Sequence, residues 1–411
     1  MDFNNIFDTI LSFFSALGSQ FAAYFSSLDA ANILSILQYD PRNPLLFSSG
    51  AFLFIFLAFM LGYWGFRKQL SARLLFVTLF SYYFFYKSSG IYFLLLVIIT
   101  ISDFYIARRI AQSEKKKTWL VLSLFIDLGM LAYFKYTNFF AGMVSQMIGN
   151  NFQPWDIFLP VGISFYTFKT ISYTVDVYRD KMKPLESLLD YAFYVSFFPT
   201  LLAGPITRAN DFVPQIRKPL HLSNEMFAQG VFLIVIGLLK KAVISDYLSA
   251  NFVDRIFDNP SLFSGGEVLL GLYGYCFQIY CDFSGYSDIA IGIAMLLGFT
   301  IPQNFNAPLQ ADSMTDFWRR WHISLSTWIR DYVYIALGGN RYGKWRMYLN
   351  QMIAMTACGL WHGASLNFIV WGVLHGLFVC VHKFWSQTIL HHDKRYHPAG
   401  IKRFFSVFIT F

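Results

Sequence analysis

"LFSSGAFLFIFLAFMLGYWGF", residues 46–66, runs for a full membrane thickness without one Asp, Glu, Lys, Arg or His. An apolar run of about 18 residues or more with few charges reads as a transmembrane helix. Similar runs recur near 6–25, 72–88, 91–107 and 118–138. Later ones lie near 157–175, 188–205, 228–248, 266–281, 284–300, 323–337, 347–361 and 365–383. The composition agrees: 14% of residues are charged and 56% hydrophobic, where soluble domains carry roughly 25% charge. The 47 Phe, 25 Tyr and 10 Trp suit interfacial belts and packed bundle interiors. The chain is therefore expected to be an all-α, polytopic transmembrane helical bundle.

The net charge of +8 does not point to nucleic acid, because the basic residues cluster between apolar spans. Arg67, Lys68 and Arg73 lie in one connector. Arg108, Arg109 and Lys115 to Lys117 lie in another, two spans later, so both face one side. The intervening "SSG" turn and the loop around Asp29 and Asp40 carry little positive charge. Basic loops stay in the cytoplasm, which places the N-terminus there too. No basic n-region opens the chain, so no secretory signal is read. Cys276, Cys281, Cys358 and Cys380 form no CxxC pair and read as core residues.

From about residue 150 the spans are interrupted by Pro, Gly and charged residues, as in "FLPVGISFYTF" and "FFPTLLAGPITR". Broken or re-entrant segments at membrane depth occur where backbone lines a cavity or is buried in protein. The first five spans thus read as ordinary anchors and the second half as the functional part.

Ionisable groups at membrane depth are costly and mark function by default. The richest cluster is "DFWRRWHISLSTWIRDY", residues 316–332, with Asp316, Arg319, Arg320, His322, Arg330 and Asp331 among large aromatics. On a helix, Arg319, His322 and Ser326 share one face. That face is either an interfacial helix meeting headgroups or a polar seam lining a cavity. Forty residues on, "GLWHGASLN" sets His362 in an apolar run beside Gly363, which permits a helix break. Imidazole is the commonest general base, but a membrane histidine also serves as a helix-to-helix hydrogen bond. Two Trp-His pairs, each at the edge of an apolar span, are poised to meet if the intervening segment folds back. Asp282 and Asp288, with Ser284 and Ser287 nearby, lack a nucleophile elbow and are expected to orient a helix break. "HHDKRYH", His391 to His397, reads as a solvated connector without metal-ligand spacing, and no metal site is expected. There is no phosphate-binding Gly-rich loop and no HExxH.

Five motifs resemble the membrane-bound O-acyltransferases (MBOAT): "LPVGISFYTFKTISYTVDVYR", "FFPTLLAGPITR", "YCDFSGYSDIAIGIAMLLGF", "DFWRRWHISLSTWIRDYVYIALGGNR" and "GLWHGASLNFIVWGVLHG". The nearest subgroup is that of the alginate O-acetylation membrane proteins. The resemblance covers residues 44–411, leaving 1–43 as an N-terminal extension with one extra helix. The last apolar stretch, "FFSVFITF", is expected to be the start of a helix that the chain cuts short. The resemblance implies helices around a transmembrane tunnel, with His362 as catalytic histidine and His322 at a second polar site. It implies acetyl-CoA as acyl-donor substrate with no cofactor. The expected partners are membrane lipids, a cell-surface polysaccharide as acceptor and an extracytoplasmic SGNH-hydrolase-like acetyltransferase, and the expected place is a bacterial inner (plasma) membrane.

On this reading His362 takes a proton from the acceptor hydroxyl while His322 orients it or stabilises the oxyanion. Trp318, Trp321 and Trp361 wall the site with Ser326, and Arg319 and Arg320 hold donor phosphates or fix their helix. Asp282 and Asp288 complete the candidate tunnel or substrate-binding set. Two rivals remain: D-alanyl transfer to teichoic acid from a carrier protein, and a transporter that relays protons through its histidines. A purely structural scaffold gives no reason for paired interior histidines.

Overall fold

The computed structural model describes residue 19, residues 37–220, residues 222–391, residue 398 and residues 400–410. The span expected near 6–25 (save residue 19), the loop at Asp29, and His392 to His397 lie outside these residues. Within them the regular structure is entirely helical.

α1 is Gly50–Gly65, α2 Leu70–Ser89 and α3 Phe93–Gln112. α4, Lys116–Met147, contains a π-helical turn at Ala132–Tyr136. α5 is Ile163–Tyr178, α6 Leu188–Ser196 and α7 Ala209–Ile216. α8, Asn224–Asp258, and α9, Gly265–Leu296, form a long pair. α10, Met314–Arg320, and α11, Ile323–Ile329, are short. α12 is Lys344–His362, α13 Leu366–Ile389 and α14 Ile401–Thr410.

Among the described residues, four helical stretches are long and apolar enough to cross a membrane: Leu70–Gln112, Lys116–Met147, Asn224–Asp258 and Leu366–Ile389. The first would measure about 65 Å as one rod against a hydrocarbon core of about 30 Å. Gly90, with φ +58°, breaks it into α2 and α3. Lys116 at the start of α4 pairs with Asp180 just after α5 at 3.0 Å. The basic connectors and the end of α5 therefore share one face.

Serines start several helices by accepting an orphan backbone N–H. Ser49 caps α1 from Phe52, and Ser223 caps α8 from Met226. At α9, Ser264 and Glu267 form a capping box.

Without a hydrophobic force between helices in lipid, close approach at small residues must hold them together. α8 and α9 cross at two glycine pairs seven residues apart. A Cβ on Gly237 would lie 2.6 Å from the Gly285 carbonyl, and one on Gly292 would lie 2.5 Å from that of Gly230. α12 and α13 meet the same way at Gly359 and Gly372. Elsewhere rings fill the space. Phe198 sits edge-on to Phe59, Phe80 and Phe84 at centroid distances of 5.4, 5.0 and 5.7 Å.

The interrupted segments are buried irregular chain, as their Pro and Gly content implies. Residues 197–202 and Ile206 are buried although they lie outside the α-helices. Side chains satisfy their backbone: Phe198 N–H donates to Ser81 Oγ (3.2 Å) and Ile206 N–H to Ser324 Oγ (2.9 Å). Gly162, with φ +78°, lies so close to Leu201 that a Cβ would fall 2.5 Å from its carbonyl oxygen. The two Pro-Gly motifs thus touch.

Three sequence expectations need correction. The spans at 266–281 and 284–300 are one continuous helix, α9, of 32 residues. Asp282 and Asp288 orient no break. They pair with Lys241 at 2.5 Å and Lys240 at 2.6 Å, two lysines of a π-helical stretch of α8, and α9 runs unbroken past both acids. Cys281 and Cys358 are buried, but Cys276 is exposed on α9 and is not a core residue.

Candidate active site

His322 is not on a helix face. α10 ends at Arg320, Trp321 is extended, and His322 takes a left-handed conformation (φ +41°, ψ 55°) as N-cap of α11. A residue with a Cβ pays about 1–2 kcal/mol for that conformation, and such strain persists only where neighbours impose it. Here Asn304 imposes it. Its carbonyl accepts from Ile323 N–H at 2.9 Å, and its Oδ1 accepts from Ser324 Oγ at 2.7 Å. Its own Nδ2 donates to Ser287 of α9 at 3.2 Å. The shared face of Arg319, His322 and Ser326 is therefore replaced by a kink, which drives the imidazole inward.

The His322 ring is 1% exposed. It lies edge-on to Phe283 (4.6 Å) and to Trp361 (5.9 Å). Trp361 is also 4.9 Å from its chain neighbour His362. Folding back brings the two Trp-His pairs together with Trp361 as their common neighbour.

Two hollows flank this group, and their linings share no residue. The inner one, about 230 Å³, is lined by Trp318, Arg319, Ser326, Arg330 and Lys383 among others, and by Cys358 of α12. It carries three cations and no carboxylate. The outer one, about 370 Å³, is lined by Lys135, residues 159–165, Trp361 and His362. Cys358 and His362 are four residues apart, about 6 Å along the helix. Only about one turn of α12 separates the hollows, and the wall is aromatic. Phe168 stacks on Trp328 at 3.8 Å and lies 5.6 Å from Trp361.

Unpartnered buried polar atoms concentrate here: both His322 ring nitrogens, His362 Nε2, Trp361 Nε1, Trp318 Nε1 and His375 Nδ1. Burying such a group without a hydrogen bond costs about 1–3 kcal/mol, which makes this cluster a candidate site for polar ligand atoms.

The remaining expected residues divide. Arg319 lines the inner hollow and forms no ion pair among the described residues, whereas Arg320 is tied to Asp316 at 2.7 Å and fixes α10. Trp318 and Ser326 line the inner hollow, and Trp361 the outer. Trp321 lines neither; it packs on Phe305 (5.1 Å) and Phe317 (5.5 Å) behind the site. Asp282 and Asp288 also line neither. No metal-ligating group of three His, Cys, Asp or Glu occurs among the described residues.

The structure adds residues that the sequence reading passed over. α4 is no mere anchor. Its π-helical turn presents Lys135 and Tyr136, which donate to the last carbonyls of α12 before His362. Tyr136 Oη reaches Leu360 O at 2.8 Å, and Lys135 Nζ donates to Trp361 O. Those carbonyls lack helical partners at a helix end. An ionisable residue within the 118–138 run was the available signal. His375 joins through Trp371, which lies 4.4 Å from it and 5.1 Å from His362. Asn304, in an unremarkable loop, left no signal.

Comparison with known proteins places the chain in a family. The chain is 41% identical over 349 residues to the Pseudomonas aeruginosa protein named "Probable alginate O-acetylase AlgI", covering 82% of this chain and 66% of that relative. It is 36% identical over 391 residues to the peptidoglycan O-acetyltransferase of Helicobacter pylori, covering 87% and 73%. A teichoic acid D-alanyltransferase of Bacillus subtilis is 30% identical over 248 residues, covering 57% and 61%. This chain thus spans about two thirds of the length of the alginate relative. Residues 34–411 match the MBOAT, membrane-bound O-acyltransferase family. With its apolar helices of membrane length and a family match over residues 34–411, the chain belongs to the membrane-bound O-acyltransferases.

Proposed function

We propose that the chain is an O-acyltransferase that moves an acetyl group from cytoplasmic acetyl-CoA across a bacterial inner membrane. The group is destined for O-acetylation of an extracytoplasmic polysaccharide, through an SGNH-hydrolase-like partner. The observation that carries this reading is the set of unpartnered polar atoms on His322, Trp361 and His362, beside a cation-lined inner hollow and a histidine-lined outer one.

Arg319, Arg330 and Lys383 suit the phosphates of a coenzyme A donor, since guanidinium binds phosphate in a bidentate fork. With the donor there, its thioester would point at the thin wall on α12. The acceptor hydroxyl enters from the outer hollow. His362 takes the hydroxyl proton as oxygen attacks the thioester carbonyl, a step for which a positioned base supplies about 10²–10⁴-fold. His322 donates to the developing oxyanion. Collapse expels the coenzyme A thiolate, which recovers the proton from the His362 imidazolium. The aromatic wall keeps out water, which would otherwise hydrolyse the acyl group. A transporter has no support from family membership.

The relatives named for alginate and peptidoglycan favour acetyl transfer. A second reading, D-alanyl transfer from a carrier protein, rests on the similarity to the teichoic acid enzyme. A donor assay separates them. Purified chain is given labelled acetyl-CoA or D-alanyl carrier protein, with wild type compared against His362→Ala. Histidine-dependent consumption of acetyl-CoA is expected. Consumption of the carrier-bound D-alanine alone would install the second reading, and consumption of neither would refute the proposal.

A further inference from the structure

One buried charge outside the site is Arg73, in the first turn of α2. Its side chain is buried (residue 3% exposed), and among the described residues it forms no ion pair. Its Nε has no hydrogen-bond partner, and its Nη1 makes only a long 3.4 Å bond to the Arg67 carbonyl. A buried charge without a counter-ion costs several kcal/mol, so an anionic ligand that reached this guanidinium would be held strongly.

Arg73 opens into a hollow of about 220 Å³ that also receives Lys218 and holds no carboxylate in its lining. Its walls are built. Tyr63 Oη donates to Leu297 O at 2.6 Å, locking α1 to the chain after α9. The Gln215 side chain clips α7 to Thr300 in both directions: Thr300 N–H donates to Oε1 at 2.8 Å, and Nε2 donates to Thr300 O at 3.0 Å. The start of α2 adds to the positive field, because its N-cap, Gln69, makes no side-chain cap and its first turn has no acid. None of these residues lines the inner or outer hollow of the active site. The hollow lies beside the Arg67–Lys68 connector, on the face assigned to the cytoplasm.

We propose that this hollow is a binding site for an anionic phosphate group, held by the Arg73 guanidinium and the Lys218 ammonium. A helix-end position on the cytoplasmic face fits the headgroup of an anionic phospholipid, since that leaflet is negatively charged. A soluble phosphate offers the same chemistry.

The experiment uses the full chain reconstituted in phosphatidylcholine nanodiscs doped with phosphatidylglycerol, then released for native mass spectrometry. Wild type should retain phosphatidylglycerol in preference to phosphatidylcholine. Arg73→Met should lower that retention about tenfold, the loss of one charge-assisted contact, and Lys218→Gln should lower it less. Lys218 is exposed on a loop, so its variant keeps the test open even if Arg73→Met fails to fold. A parallel arm titrates inorganic phosphate. Binding of phosphate that depends on Arg73 or Lys218, with no lipid preference, supports the site and assigns it a soluble ligand. Phosphatidylglycerol and phosphate binding that both variants leave at wild-type level would overturn the proposal.

Discussion

Lys135, which also lines the outer hollow, and Tyr136 are expected to act on catalysis by positioning His362. Each donates to a carbonyl at the end of α12, on the two residues that precede His362. Tyr136→Phe removes one hydroxyl and leaves the ring, which costs about 1–3 kcal/mol once the freed Leu360 carbonyl is counted. Lys135→Met removes a charged donor of similar or greater worth, roughly 1.5–3 kcal/mol. The consequence should be positional, because His362 ends the helix these donors hold, and a shift of about 1 Å costs on the order of 10²-fold in rate. Acetyl transfer from labelled acetyl-CoA by the reconstituted chain is the assay. Lys135→Met should lose about 10²-fold in kcat and Tyr136→Phe about tenfold. The KM for acetyl-CoA should hold, since neither residue lines the inner hollow. Lys135→Arg, which keeps a donor, should recover most of the loss. A folded Lys135→Met variant with wild-type kcat, or one altered only in donor KM, would refute the positioning argument.

Three further outcomes follow from the geometry. Arg319→Gln should raise the donor KM about tenfold with kcat retained, while Arg320→Gln should leave KM unchanged and lower thermal stability through the lost Asp316 pair; equal KM effects would contradict the division between them. Gly237→Ala should destabilise by about 1–3 kcal/mol through overpacking, because its Cβ would meet the Gly285 carbonyl, whereas Gly50→Ala, with nothing within 4 Å of the added carbon, should leave the melting temperature unchanged or raised. Asn304→Ala should lower kcat and stability together by releasing the His322 kink, and activity equal to wild type would show that the kink is held by other contacts.

The bundle was legible because lipid imposes simple rules on sequence. α2, α3 and α4 lie where predominantly apolar runs put them, and the Pro-Gly motifs are broken chain as their residues require. α9 was misread because acids inside an apolar run look like an interruption. They stop being one when two adjacent lysines on a neighbouring helix, Lys240 and Lys241, meet them. The site was legible in its histidines and tryptophans, which are costly at membrane depth. Its geometry was not, because the left-handed turn at His322 is set by Asn304 from a distant loop. The contributions of Lys135 and Tyr136 depend on a π-helical turn that no local pattern announces.

The central claim is that His362 supplies the base for acyl transfer between the two hollows. Its most direct measurement is single-turnover acetyl transfer by purified, correctly folded His362→Ala. A fall of about 10²–10⁴-fold is expected, with acetyl-CoA still bound. A rate within a few-fold of wild type would contradict the account.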